Sequence, residues 1–416
     1  MADCNGEEEP TYQRAPRAGN QAIGRRLVPG VALVWLALTL PLGAQQTRIY
    51  REGNAWVEET TGVMPAAREL RITTDLGSVQ VEGNAARVAY VIRKRSYTAD
   101  EKAARREFEH LHISARREGE KDSIEGKARS KYLGRLAAEF VVQVPRELSL
   151  INVQTRGGSL VFRSIAATIV ASTGAGTIKL DDLSGPVKIS SGGGNVEAGN
   201  LGSDLTFTSG AADVHVANVS GMTQVNVGGG RVFIGSSHTS SIQTGAGSIQ
   251  VQRCVGDLRV MSGGGNLYLG EIEGAVQAET QGGSVRLDSA TGPVQVTTGG
   301  GGVALYKLGR GAQVETGAGP ITVEFLGNHG FTDSFLHTAA GDVTVCLADN
   351  LPVTVHATSD MASGRGILSD FHGLTITQQG GVFSPRSMSA EGSINGGGPA
   401  LRVRTTIGQI AFRRCH

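Results

Sequence analysis

Between residues 157 and 330, apolar and polar residues alternate in short bursts, and each burst opens on glycine. The tripeptide Gly-x-apolar recurs with its middle residue at Ser159, Thr177, Asn195, Asp213, Arg231, Ser248, Asn266, Ser284, Gly302 and Pro320. Successive steps are 18 residues, with a single step of 17 between Arg231 and Ser248. A fixed period sustained over this length is the signature of a repeat architecture. Within one unit, Gly283-Ser-Val-Arg-Leu and Gly292-Pro-Val-Gln-Val are two versions of the same half, nine residues apart. Alternation at period two predicts a short strand in each half, with a turn after it. Two short strands cannot bury their apolar face alone, but stacked on the next unit they can. The pattern therefore predicts an all-β fold: a single-stacked parallel β-solenoid (β-helix) with 18-residue coils of two short strands.

Parity gives the inward set. In one coil it is Val285, Leu287, Ala290, Val294, Val296 and Thr298. The preceding coil offers Leu267, Leu269, Ile272, Val276, Ala278 and Thr280, and an earlier one Ile178, Leu180, Leu183, Val187, Ile189 and Ser191. The last place forms a column of hydroxyls: Ser191, Ser209, Thr244, Ser262, Thr280, Thr298 and Thr316. A small hydroxyl beside glycine suits a tight corner, where it bonds local backbone N–H groups. Inward parity argues against an exposed threonine face of the ice-binding kind. Cys254 occupies the place of Ile272, Ala290 and Leu308 and reads as a small buried hydrophobe.

The outward places of one strand read Lys179, Glu197, His215, Phe233, Gln250, Tyr268 and Arg286. They are mixed and carry no adjacent carboxylate pair, so no coil supplies a general acid and base together. Phe233 and Tyr268 are isolated aromatics two coils apart. No glycine run is followed by the Gly-Lys-Ser/Thr of a phosphate loop. The aspartate column of a calcium-binding nonapeptide is missing, since Gly192-Gly-Gly194 precedes Asn-Val-Glu. No Cys/His cluster stands at zinc spacing, and His110 and His112 read as an exposed pair flanking a turn. The reading assigns no catalytic, cofactor-binding or metal residues and no cofactor.

Outside the regular repeat, residues 45–68 read as a linker and 69–156 as an N-terminal β region, a small strand/helix insertion with one helix at about 98–111. Leu70–Val81 resembles one coil, and Val88–Ile92, His112–Arg116 and Glu139–Val144 read as strands, the last two separated by an exposed loop. Thr98-Ala-Asp-Glu101 is a capping box for the helix. From Arg87 to Arg135 there are 14 Lys/Arg against 8 Asp/Glu, read as a solvated surface or, alternatively, a contact site for anionic polysaccharide or lipid headgroups. Residues 331–416 read as C-terminal irregular coils and a cap over the open edge. There, coil-like strands at Gly341–Val345, Leu351–His356, Gly373–Thr377, Gly392–Ile394 and Gly408–Phe412 are separated by loops such as Ser359–Gly366 and Gln378–Ser389.

Composition narrows the class further. Of 416 residues, 60 are glycine and 12 proline, with 39% hydrophobic, 19% charged and a net charge of +1. There is no Gly-x-y period, which excludes collagen, and so much glycine disfavours a helix bundle. The near-zero charge argues against nucleic acid as a partner. Arg25-Arg26, the apolar stretch Leu27–Leu40 and Leu42-Gly43-Ala44 predict a signal peptide over residues 1–44, cut after Ala44. The apolar run is shorter than the ~20 residues that span a bilayer, so no stable transmembrane segment is expected after cleavage. Cleavage would leave three cysteines. Coil spacing excludes a Cys254–Cys346 bridge and leaves Cys346–Cys415 open.

The exported leader, the Leu70–Val81 coil, Phe140-Val-Val-Gln-Val-Pro145 and the repeated Gly-x-Val-x-Val units together resemble the bacterial "putative adhesin" family of β-strand-repeat proteins. The resemblance covers about Leu70 to Phe412 and implies architecture without supplying site residues. The expectation is an exported, non-enzymatic adhesin-like β-solenoid. It would bind or scaffold a surface polymer or protein at the cell surface, in the periplasm or outside the cell. The alternative is a carbohydrate-active β-helix enzyme of polysaccharide lyase or hydrolase type.

Overall fold

Each unit of the repeat buries the side chains that parity selects. Val285, Leu287, Ala290, Val294, Val296 and Thr298 are all buried, as are their counterparts in the units beginning at Thr177 and Asn266. The computed structural model describes residues 45–129, 136–327, 330–380 and 386–415; the predicted signal peptide, residues 1–44, lies outside them. Among the described residues the chain is all-β, with 32 strands hydrogen-bonded into one sheet and a single helix.

Through the repeat, strands pair in parallel with their counterparts one unit before and after. Ile178 pairs with Leu160 on one side and Val196 on the other, and Val294 with Val276 and Ala312. Over most of the repeat this register keeps apolar residues above apolar residues, the exceptions lying around the short unit, where Leu205 pairs with Thr223, Val219 with Ser237 and Leu258 with Ser240; a slip by one would turn the whole set outward. The 17-residue step is absorbed at a corner. Val219 pairs with Ser237, but Met222 pairs with Thr239, so the missing residue falls between them. Glycine is required where units turn: Gly176 and Gly194 have φ of 127° and 108°, and a Cβ on either would strike the backbone of Gly158 or Gly176 behind it.

Both ends of the sheet are built out of sequence order. At the first, strand Glu69–Thr74 lies between Leu150–Thr155 and Lys121–Ala128, and Ser78–Glu82 between Leu160–Ile165 and Leu136–Gln143. The later strands thus lie outside the earlier ones. Antiparallel strands follow: Val88–Ser96 on Leu136–Gln143, then Ala55–Met64, then Gln45–Glu52, with Leu111–Glu118 on Lys121–Ala128. The helix, Glu101–Phe108, buries Ala104 and Phe108 against this end. At the other end, the last strand, Ala400–Arg414, is interior. It pairs with Ser334–Ala340 and Val343–Leu347 on one side and Val353–Ser369 on the other. Ser387–Ile394 and Leu374–Gln379 then extend the sheet antiparallel.

Several expectations are corrected here. Residues 45–68 are not a linker: Gln45–Glu52 and Ala55–Met64 form a hairpin across Gly53-Asn54. The helix is shorter than 98–111, and its N-cap is Asp100, whose side chain accepts the Ala103 N–H at 2.8 Å, in place of Thr98. The loop expected before Glu139 contains strand Lys121–Ala128, and Ser359–Gly366 lies within strand Val353–Ser369. Gln45–Glu52 and Ala55–Met64, like Leu111–Glu118 and Lys121–Ala128, pair as antiparallel hairpins at the end of the sheet instead of on copies of themselves, so they do not carry the alternation of the repeat.

Candidate functional site

Two outward faces run the length of the repeat, one from the first strand of each unit and one from the second. On the first, Lys179, Glu197, His215, Phe233, Gln250, Tyr268 and Arg286 stand in register as successive cross-strand partners. The structure therefore brings Phe233 and Tyr268 into one column with only Gln250 between them. Stacking makes neighbours of residues that are 18 apart in sequence. The rings of His215 and Phe233 are parallel, with centroids 4.6 Å apart and planes within 5°. Tyr268 is 45% exposed, and its hydroxyl accepts a hydrogen bond from Asn266 Nδ2 at 3.2 Å. Two residues further along the strands stand Gly235 and Gly270, which leave the surface beside the rings without side chains.

This face holds two grooves. One, of about 540 Å³, is lined by His215, Phe233, Gln250, Tyr268, Asp213 and Arg231 among others. The second, of about 570 Å³, shares Gln250 and Tyr268 and continues to Arg286 and Asp288. Apart from Glu271, the carboxylates and guanidinium groups lining these grooves are engaged locally: Glu197 with Lys179 at 2.8 Å, Asp213 with Arg231 at 3.5 Å, and Asp288 with Arg286 at 3.0 Å. Such exposed pairs contribute little stability, but each cancels the field of its partner. The opposite face carries a groove of about 520 Å³ over the corner residues Ala275, Pro293 and Gly311, edged by Gln277, Gln295 and Gln313.

Part of the basic N-terminal stretch is spent on ion pairs. Arg93 meets Glu59 at 2.9 Å, Lys94 meets Glu58 at 2.6 Å, Arg95 meets Glu139 at 3.3 Å, and Arg116 meets Glu125 at 3.3 Å. Glu59 and Arg93 are buried. Burial alone would raise the Glu59 carboxyl, but hydrogen bonds from Arg93 and Arg48 outweigh it and hold the group below the usual carboxylate range. The acidic partners Glu58, Glu59 and Glu139 lie outside the Arg87–Arg135 window, so its surplus of basic residues overstates the exposed charge. Sequence reasoning missed this network. The Gly53-Asn54 turn signal between two β-compatible runs could have revealed the hairpin that carries it. His110 and His112 are exposed, the first in the turn after the helix and the second in the following strand.

Cys346 and Cys415 form a disulfide with Cα atoms 5.3 Å apart, and Cys254 is a buried free thiol. Among the described residues, no group of three or more His, Cys, Asp or Glu is placed to hold a metal ion, and no helix is long and apolar enough to cross a membrane.

No protein-family model matches the chain, and no curated protein matches it. Solved structures do. A "putative cell adhesion protein" from Clostridium sporogenes is 9% identical, with 86% of this chain and 100% of that chain covered and a TM-score of 0.20. A "putative lipid binding protein" from Parabacteroides distasonis is 14% identical, covering 73% and 97%, at a TM-score of 0.24. A "putative adhesin" from Parabacteroides merdae is 11% identical, covering 70% and 95%, at a TM-score of 0.22. Proteins named as adhesins thus stand among the structural neighbours of this chain. At these identities and TM-scores the likeness carries no argument about what the chain binds.

Proposed function

We propose that the parallel ladders wind as a single-stacked β-solenoid, and that the protein is exported and acts as a non-enzymatic, adhesin-like binding or scaffolding element. Its place of work would be the cell surface or the periplasm. The observation that carries this reading is the pair of long outward faces. Their backbone groups are consumed by the ladders, and on the first face Lys179 pairs with Glu197, Arg231 with Asp213 and Arg286 with Asp288, while Phe233 and Tyr268 align in a column. A surface of this kind suits many weak contacts to an extended partner. The Cys346–Cys415 disulfide supports export, because such bonds persist in oxidising compartments.

The test has two parts. Mature protein recovered from the producing bacterium should begin near Gln45, and the purified chain should attach to intact cells or immobilised extracellular matrix without altering them. Protein with an intact N-terminus in the cytoplasm would overturn export. If the chain cleaves a polysaccharide, and one carboxylate substitution abolishes that cleavage, the enzyme alternative replaces the binding reading.

A further inference from the structure

The column around Gln250 has the makings of a ring-binding slot. Consecutive strands of a sheet are ~4.8 Å apart, close to the 4.6 Å between the His215 and Phe233 centroids. With planes within 5° of parallel, those rings are stacked along the direction in which strands succeed one another. The face of Phe233 turned away from His215 therefore looks toward the Gln250 coil and Tyr268 beyond it. Two strand spacings separate Phe233 from Tyr268, or ~9.6 Å, and only Gln250 stands between them. The two grooves meet at this position, since both are lined by Gln250 and Tyr268.

Chemistry selects the occupant. A peptide adding as a strand needs free backbone N–H and C=O groups, and those of this face are paired in the ladders on both sides. Arg231 is neutralised by Asp213 and Arg286 by Asp288, and the remaining flanking charge is the carboxylate of Glu271, so an acidic polymer would gain little and would have to displace existing pairs. What remains is the face of Phe233 on one side and the ring of Tyr268 on the other, planar amides at Gln250 and Gln252, and a hydroxyl at Ser248. A pyranose ring matches that set, with apolar C–H faces for the aromatics and hydroxyls for the amides. The grooves run over several coils, which favours a polymer over a single sugar.

Resting on the binding reading above, we infer that the slot over Gln250, between Phe233 and Tyr268, binds an uncharged polysaccharide with one sugar ring seated between the two aromatic side chains. The test is affinity electrophoresis of the mature chain in native gels containing soluble β-glucan, mannan, galactomannan or xyloglucan, with pectate and alginate as acidic controls. At least one neutral polymer should retard the protein and the acidic ones should not. Tyr268→Ala and Phe233→Ala should each weaken retardation by about tenfold or more. Tyr268→Phe, which keeps the ring, and Gln295→Ala, on the opposite face, should leave it unchanged. The outward positions of Phe233 and Tyr268 let thermal melts certify that the alanine variants are folded. The inference is overturned if no neutral polymer retards the chain, if an acidic one is preferred, or if folded Tyr268→Ala binds normally. Attachment to cells or matrix that survives any of these results would leave the adhesive reading standing and remove only the glycan assignment. Attachment to nothing would remove both.

Discussion

Thr298 shows how a single hydroxyl ties two successive repeat units together. Its Oγ1 donates to the Gly283 carbonyl, 15 residues back, at 2.9 Å and accepts the Gly301 N–H at 3.2 Å. Thr280 and Ser262 repeat the arrangement. At other corners, the side-chain oxygens of Asp213, Asp257 and Asn266 each accept the N–H of the residue 18 further on. Period-two parity made the inward hydroxyl column legible in the sequence, but the expected bonds to local N–H groups form at Ser262, Thr280 and Thr298, while Ser191 and Thr316 donate to carbonyls and Ser209 and Thr244 have no partner. The bonds to the previous coil were not legible, because they depend on the offset between stacked strands. Asp122 is a residue of another kind. It is fully buried, its Oδ2 accepts the Ala67 N–H at 3.0 Å, and its Oδ1 has no partner. Burial raises its carboxyl above the usual range, with the Ala67 hydrogen bond opposing. An acid raised in the folded state contributes stability that is fully present below its unfolded pKa, ~3.9, and is lost as pH rises through the folded value. Asp122→Asn retains an acceptor for Ala67 and removes the ion. Its denaturation midpoint should exceed that of the parent at pH 7.5 and converge with it near pH 4; a constant difference across that range would contradict a buried, titrating Asp122.

At the scale of elements, regular strands were legible and the ends of the stack were not. Alternation identified Ile178–Leu183 or Val294–Thr298, because each packs on copies of itself. The strands at the two ends pair with sequences unlike their own, and their order in space departs from their order in the chain. Nothing local to Ala400–Arg414 announces that it will lie inside Val353–Ser369. The disulfide fixes this insertion: Cys415 is held beside Leu347, whose carbonyl accepts its N–H at 3.1 Å, and Cys346 lies 69 residues back in the chain. A cross-link closing a loop of that size contributes about 2–4 kcal/mol. Cys415→Ser should therefore lower stability by roughly that amount, with the loss concentrated at the C-terminal end. Hydrogen exchange should quicken in Val353–Ser369 and Ser387–Ile394 while strands from Val196 to Thr298 keep their protection. Uniformly faster exchange along the chain would mean that the disulfide does not act as a local latch. Alkylation of the native mature chain should label no cysteine, and unfolding without reductant should expose one thiol, that of Cys254.

At the scale of the whole molecule, the candidate binding column was only half legible. The sequence lined up Lys179, Glu197, His215, Phe233, Gln250, Tyr268 and Arg286, but read as letters they are a mixture. Only stacking reveals that His215 and Phe233 share a ring face and that Gln250 alone parts Phe233 from Tyr268. Because the strands of each unit pair with those of the units before and after it, removal of one 18-residue unit should leave a shorter folded β protein. Two deletions then separate an extended polymer surface from the slot. Removing Ser284–Gly301 takes away Arg286 and Asp288 but leaves Phe233, Gln250 and Tyr268 in place. Binding to the neutral polymer should weaken modestly, as one set of contacts is lost from a long face. Removing Ser248–Gly265 takes away Gln250 and brings Tyr268 to the coil next to Phe233, about one strand spacing, ~4.8 Å, away. The aromatic faces would then meet each other, the gap would close, and retardation in the gel should disappear although the rings themselves remain. Circular dichroism and melting curves must show that both deletions fold as shortened β proteins. Equal weakening by the two would mean that the faces bind along their whole length without a slot, and undiminished binding after loss of Ser248–Gly265 would place the contact surface elsewhere on the molecule.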